Sequence, residues 1–178
     1  MSLVKKQNLS LSSFLIILIF LICSVSFSEQ TNTFSGKAEV IDGDTIRIKE
    51  KKIRLFGIDA PELRQTCLIG SDLYYCGKIA KEVLEKYVKG KKINCSYTTL
   101  DRYRRILAIC RLDCFLWGDD PNCVKFSLNR YMVRSGNALA YKRYSKRYLN
   151  SEQWAKNNKL GIWQGDFENP EEWRKKDK

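Results

Sequence analysis

The sequence predicts an α+β fold that is mainly β: a closed barrel of five strands with about three helices. Three observations point there. Residues 37–58 break into three short runs that alternate apolar and polar side chains, as half-buried strands do. A second pair of such runs flanks a basic turn at Arg102-Tyr103. Segments with helical spacing of apolar residues lie between and after them.

In chain order, the first feature is a targeting segment. Lys5-Lys6 precede an almost wholly apolar run from Phe14 to Cys23, and Ser24, Ser26 and Ser28 follow. That is the layout of a secretory signal peptide over residues 1–28, cleaved after Ser26 or Ser28. An uncleaved anchor is the alternative, although the run falls short of the ~20 residues a spanning helix needs. Bulky Ile22 argues against lipidation of Cys23.

Residues 29–35 read as a mobile polar lead-in. In the strands that follow, Ile46 and Ile48 alternate with Arg47 and Lys49, and Ile53 and Leu55 alternate with Arg54. Asp42-Gly43-Asp44 and Glu50-Lys51-Lys52 are the turns between them, and Pro61 closes the third strand. Residues 77–89 predict a helix with Ile79, Val83 and Tyr87 on one face, and Gly90 ends it.

Residues 92–97 and 106–112 form a hairpin, and residues 114–123 a stapled surface loop. A short helix over 127–135 is closed by Gly136, and Ser145 caps a third helix running to about Asn158. Trp163 and Trp173 pack the tail, and residues 174–178 read as solvated and frayed. The folded domain is thus placed at 36–165, with a basic tail at 166–178. A strand meander with helices and a second hairpin matches a small barrel of the oligonucleotide-binding type. A β-sandwich fits less well, because the helices are long relative to the strands.

The chain is strongly basic, with a formal net charge of +12 over 178 residues. Lys5 and Lys6 are the only charges before Glu29, so residues 29–178 keep +10 (30 basic against 20 acidic residues). Such an excess suits a polyanionic partner, nucleic acid or an anionic membrane, but solubility alone accounts for it equally well. Apart from Cys23 there are six cysteines: Cys67, Cys76, Cys95, Cys110, Cys114 and Cys123. An even number in an exported chain suggests disulfides. Cys95 and Cys110 lie symmetrically about the hairpin tip and would face each other at a Cα separation of ~4.5–5.5 Å. Sequence proximity then suggests Cys67–Cys76 and Cys114–Cys123. A zinc site is the poorer reading, because the chain has no CxxC pair and no histidine.

Without histidine, hydrolytic chemistry must run on carboxylates, arginines and a metal. Asp42 and Asp44 flank a glycine in a tight turn, and Asp59 and Glu62 sit where the third strand ends. Carboxylates crowded in this way repel one another and favour a hard cation such as Ca²⁺ or Mg²⁺. Arg54 lies close by in sequence, and Arg102, Arg104 and Arg105 cluster with Tyr103 at the hairpin tip. Guanidinium groups bind phosphate bidentately. Each motif alone has an ordinary reading, as a turn or a solvated loop; the combination is the signal.

Together, Asp42-Gly43-Asp44-Thr45, the run from Arg54 to Glu62 and the run from Asp101 to Ala108 resemble the three active-site segments of staphylococcal nuclease-like proteins (thermonucleases). The runs 136–141 and 161–163 resemble the family's C-terminal segments, so the likeness spans about 37–163. It implies a barrel-plus-helices fold and Ca²⁺-dependent hydrolysis of DNA and RNA that leaves 3′-phosphates. It further implies Asp44, Asp59 and the carbonyl of Ala60 as direct Ca²⁺ ligands, and Asp42 acting through water. Glu62 would be the general base or would orient the attacking water, and Arg54 and Arg105 would clamp the phosphate. Arg102, Tyr103 and Tyr141 would line the nucleotide groove. The chain departs from the family at Arg104, where glycine is usual and where an arginine makes a tight turn harder. Arg105 keeps the register, which leaves Arg104 a nucleic-acid backbone contact. The enzyme is expected to act as a monomer without an obligate protein partner. The alternatives are a catalytically inactive nucleic-acid-binding barrel, an exported interaction domain and a membrane-surface role.

Overall fold

The computed structural model describes residues 31–113 and 127–176, so the expected signal peptide and the expected Cys114–Cys123 pair lie outside the described residues. Strands β1 (Asn32–Val40), β2 (Thr45–Ile48) and β3 (Lys51–Leu55) form the N-terminal meander, and a two-residue strand β4 (Ile58–Asp59) follows. A small hairpin, β5 (Cys67–Ile69) and β6 (Asp72–Tyr74), leads into helix α1 (Cys76–Val88). Strands β7 (Lys92–Leu100) and β8 (Ile106–Leu112) make the long hairpin. After it come α2 (Leu128–Arg134), β9 (Leu139–Ala140), α3 (Leu149–Asn157) and a 3₁₀ turn at Gly161–Gln164. The chain then passes through β10 (Asp166–Phe167) into α4 (Pro170–Lys176).

The barrel closes in the order β1-β2-β3-β8-β7, with β7 returning to β1. All its pairings are antiparallel except β3 with β8, which run parallel with Arg54 opposite Leu107. The alternation seen in the sequence is the inside–outside alternation of the strands. Ile46, Ile48, Ile53 and Leu55 are fully buried, while Arg47 and Lys52 point out. Leu84 of α1 and Met132 of α2 pack on this core. Asn129 is a polar tie within it. Its side chain accepts from Cys110 N–H at 3.1 Å and donates to the Phe56 and Ala108 carbonyls at 2.9 and 3.1 Å.

Several expected boundaries move; Lys51 and Lys52 open β3 instead of forming the turn, and β7 runs on to Leu100. Residues 32–35 are strand rather than lead-in, because β1 pairs with β7 from Asn32 onward and Phe34 packs edge-on against Tyr97 at 5.6 Å. Helix α3 starts at Leu149 instead of just after Ser145. The Ser145 hydroxyl caps a local turn by accepting from Arg147 N–H, and Tyr148 is turned into the core. Helix α2 keeps its expected place because Ser127 Oγ accepts from Arg130 N–H at 3.1 Å.

The larger correction concerns the tail. Residues 166–176 form β10 and α4, so Arg174, Lys175 and Lys176, expected to fray, are helical. Asn169 Oδ1 accepts from Glu171 N–H, Pro170 opens α4, and Glu171 and Glu172 occupy its first turn with Arg174, Lys175 and Lys176 in its last. That distribution suits the helix dipole at both ends. Strand β10 pairs with β5, and the Gln65 amide donates to the Glu168 carbonyl at 2.7 Å, which moors the tail to the segment that follows β4.

Among the described residues there are two disulfides, Cys67–Cys76 and Cys95–Cys110. Cys95 faces Cys110 directly across β7 and β8, with a Cα separation of 4.1 Å, slightly closer than the sequence suggested. It closes a loop of 15 residues in the barrel wall. Replacing both cysteines with alanine is expected to lower the unfolding free energy by about 3 kcal/mol in a urea titration. A loss below ~1 kcal/mol would show that the barrel wall does not depend on this link.

Candidate active site

The site grows from the turn between β1 and β2. Ile41 and Asp42 N–H both donate to the Thr45 carbonyl, and Asp42 Oδ1 accepts from Asp44 N–H at 3.0 Å. This tight turn lies against the end of β4 and against α1. A Cβ on Gly43 would sit 2.6 Å from Ala60 Cβ and 2.9 Å from Ala80 Cβ, so only glycine lets the turn approach. Asp44 is thereby buried, and each of its oxygens is used. Oδ1 accepts from the Thr45 hydroxyl at 3.1 Å, and Oδ2 accepts from Ala60 N–H at 2.8 Å. Thr45 also stands opposite Arg54 in the β2–β3 register, which brings the Arg54 guanidinium onto Asp44.

Arg54 joins two segments of the site. Its Nη1 meets Asp44 Oδ2, and its Nη2 donates to Asp59 Oδ1 at 2.8 Å. Burial disfavours the charge on Arg54, but Asp44, Asp59 and Asp42 outweigh that and push its pKa above the usual value. Asp59 reaches its position because β4 pairs with β9, Asp59 opposite Leu139. Glu62 follows in a loop held from two sides. Its N–H donates to Gln65 Oε1 at 3.1 Å, and its carbonyl accepts from Gln65 N–H at 2.8 Å. The first turn of α1 presses so closely on this loop that a Cβ on Gly77 would collide with the Glu62 carbonyl. Glu62 is left half-exposed, at 39% for its side chain, while Asp59 is 2% exposed.

The C-terminal helix enters this cluster, which the sequence reading missed. Arg174 Nη1 donates to Asp59 Oδ1 at 3.0 Å and to Glu62 Oε1 at 2.7 Å, and Nη2 donates to Asp59 Oδ2 at 2.9 Å. A signal for this helix was present in Asn169-Pro170-Glu171-Glu172, a cap residue, a helix-opening proline and an acidic first turn. Gln65, fully buried, is a second residue the sequence did not single out.

The hairpin-tip residues are placed differently from the carboxylates. Asp101 organises the turn: its Oδ1 accepts from Tyr103 and Arg105 N–H, both at 2.9 Å, and its Oδ2 from Arg105 Nε at 2.7 Å. Burial raises the Asp101 carboxyl, but these hydrogen bonds outweigh it and hold its pKa below the usual value. Arg105 thus stands beside the start of β8, next to the strand that carries Arg54, with its guanidinium tied to Asp101 and not to Asp59 or Glu62. Arg104 has φ 60°, the left-handed conformation that glycine adopts without strain. Tyr103 is exposed, with the Arg102 and Arg105 guanidiniums 4.8 and 5.5 Å from its ring centre. Tyr141 follows β9 and donates its N–H to the Gly57 carbonyl. Burial raises its phenol pKa, and Glu171 and Asp59 add to the rise.

Among the described residues no group of three or more His, Cys, Asp or Glu side chains is arranged to hold a metal ion. The donor chemistry nevertheless fits one class of cation. Asp42, Asp44, Asp59 and the backbone of Ala60 offer oxygen alone, which suits a hard divalent ion whose remaining ligands are water. The electrostatics agree, since burial together with the neighbouring Asp44 charge lifts Asp42 to about 7. Burial lifts Asp59 as well, against the pull of the Arg174 hydrogen bonds.

Two measurements check this description. Replacing Arg104 with glycine should stabilise the protein by about 0.5–1 kcal/mol, the left-handed strain relieved less the extra freedom of glycine in the unfolded chain. An unchanged or lower stability in denaturant would contradict the strained turn. In chelator, folded Asp42 keeps a proton between pH 3.8 and about 7 that the unfolded chain releases. Stability from this group therefore falls as pH rises through that window and levels off above it. The melting temperature of Asp42→Asn should gain on that of the parent across the same window. A pH-independent difference would count against the raised pKa.

Comparison with known proteins agrees with the geometry. Residues 52–165 match the family model described as staphylococcal nuclease homologue. The succinoglycan biosynthesis protein ExoI of Rhizobium meliloti is 37% identical over 138 residues, covering 75% of this chain and 66% of that protein. An uncharacterized endonuclease of Haemophilus influenzae is 30% identical over 171 residues, covering 92% of this chain and 84% of its own length. An uncharacterized endonuclease of Escherichia coli is 32% identical over 132 residues, covering 70% of this chain and 72% of its own length. On this match and this barrel, the chain belongs to the staphylococcal nuclease family.

Proposed function

We propose that this chain is an exported, Ca²⁺-dependent nuclease that hydrolyses phosphodiester bonds in DNA and RNA and leaves 3′-phosphates. The observation that carries the reading is the Arg54 guanidinium held between Asp44 and Asp59, with Glu62 half-exposed in the adjoining loop. Asp44, Asp59 and the Ala60 carbonyl would hold Ca²⁺, with Asp42 acting through water; the ion supplies positive charge for the phosphate oxygens as negative charge grows on them.

The protein's own groups do the rest. Glu62 takes a proton from the attacking water or holds that water in line. Arg54 and Arg105 bind the non-bridging oxygens, which stabilises the transition state more than the ground state because the charge there is greater. Tyr103 offers an exposed aromatic face on which a base can stack, and Arg102 and Arg104 beside it face the nucleic-acid backbone. Tyr141, within electrostatic reach of Asp59, lines the other side of the groove. The names of the Haemophilus and Escherichia relatives support internal cleavage. Export is supported by the layout of residues 1–28 and by two disulfides, which persist in oxidising compartments.

The test is cleavage of single- and double-stranded DNA and of RNA by the oxidised protein in Ca²⁺, Mg²⁺ or chelator. Ca²⁺ should support cleavage that chelator abolishes. Glu62→Gln and Arg54→Ala should each lower kcat by ~10²–10⁴-fold. Cleavage no faster in Ca²⁺ than in chelator would refute the reading. Salt-sensitive binding without cleavage would then favour the inactive binding barrel.

A further inference from the structure

We propose that Arg174 is a positioning residue of this site: its guanidinium locks Glu62 and Asp59 in a fixed relation, and helix α4 is a working part of the site. The inference rests on the hydrolytic reading above and extends it to a segment outside the family match, which ends at residue 165.

The contact has the geometry of a designed clamp rather than a chance surface pair. Nη1 and Nη2 take both oxygens of Asp59, at 3.0 and 2.9 Å, and Nη1 also takes Glu62 at 2.7 Å. Paired hydrogen bonds of this kind fix orientation as well as distance, which a single lysine contact does not. Asp59 is almost wholly buried, so these bonds are poorly screened.

The placement of α4 does not depend on Arg174 alone. Strand β10 pairs with β5, Gln65 holds the Glu168 carbonyl, and Lys176 pairs with the Glu168 carboxylate at 2.6 Å. Gln65 is also the residue that holds both backbone groups of Glu62. One buried side chain therefore sets the loop that carries Glu62 and the segment that carries Arg174. The fold delivers the guanidinium to Glu62 through a fixed frame.

The bond from Arg174 Nη1 leaves Glu62 aimed for its work on water instead of free to swing among rotamers.

The experiment compares wild type with Arg174→Ala, Arg174→Lys and, as a control on the same helix, Lys175→Ala, whose ammonium contacts Glu172 alone among the described residues. Arg174→Ala should lower kcat by ~10–100-fold with KM little changed, as misplacement of a reacting group does. Lysine should recover only part of the loss, free guanidinium ion should restore Arg174→Ala but not Glu62→Gln, and Lys175→Ala should match wild type. Thermal melting and Ca²⁺ calorimetry on each variant complete the set. Undiminished kcat in Arg174→Ala, with wild type active, overturns the positioning role alone. Faster turnover, or Ca²⁺ bound at least tenfold more tightly with kcat intact, makes Arg174 a competitor and overturns it too. A collapse of melting temperature with no rescue by guanidinium makes the contact purely structural, the third overturning result. Wild type that cleaves nothing in any metal overturns the hydrolytic reading itself.

Discussion

Asp44 and Asp59 lie buried near each other, and Arg54 stands between them as their shared counter-charge. Two carboxylates drawn out of water repel one another and lose hydration, a cost of several kcal/mol per ion unless a counter-charge with good geometry offsets it. Arg54 supplies that counter-charge from β3, and it can do so because Thr45 and Arg54 are paired across the β2–β3 ladder. The barrel is thus the device that makes the cluster affordable. Its register places the arginine, its turn at Gly43 places one aspartate, and β4 with β9 places the other. The charges then run in an alternating row, Asp44, Arg54, Asp59, Arg174, Glu62, from the buried end to the solvent.

The same row separates groups by exposure. The aspartates are buried, whereas Glu62 is open enough for water to reach it. Burial favours electrostatic work, because charges act more strongly where water is excluded. In the proposed hydrolysis access favours proton transfer, because the water to be activated would arrive from outside. The Asp101 turn solves a different problem. Where a glycine would relax the backbone, this chain keeps Arg104 in a left-handed conformation, and three hydrogen bonds from its neighbours Tyr103 and Arg105 to the Asp101 carboxylate anchor the turn.

Much of this was legible in the residues. Period-2 alternation marked β2 and β3 because one face of each is buried and the other wet. The Cys95–Cys110 link followed from symmetry about a hairpin tip, a purely geometric cue. Asp42, Asp44, Arg54, Asp59 and Glu62 stand within about twenty positions, so proximity in sequence announced their cluster. What escaped was whatever depends on distant contact. Residues 32–35 become strand only because β7 is there to pair with them. The two-residue strands β4, β9 and β10 are too short to carry a period. Arg174 looked like one more basic residue in a basic tail, since its partners lie 112 and 115 positions away.

That separation has a consequence for the order of events during synthesis. The ribosome makes Asp42 through Glu62 early and Arg174 long after the barrel strands. Closing so long a loop has the largest entropic cost among the site's contacts, so its contacts are of the late-forming kind. A nascent or prematurely ended chain can therefore hold the whole barrel and still lack the last member of the charged row. The site is assembled from both ends of the folded domain, and it is charge-complete only in a molecule translated past residue 174.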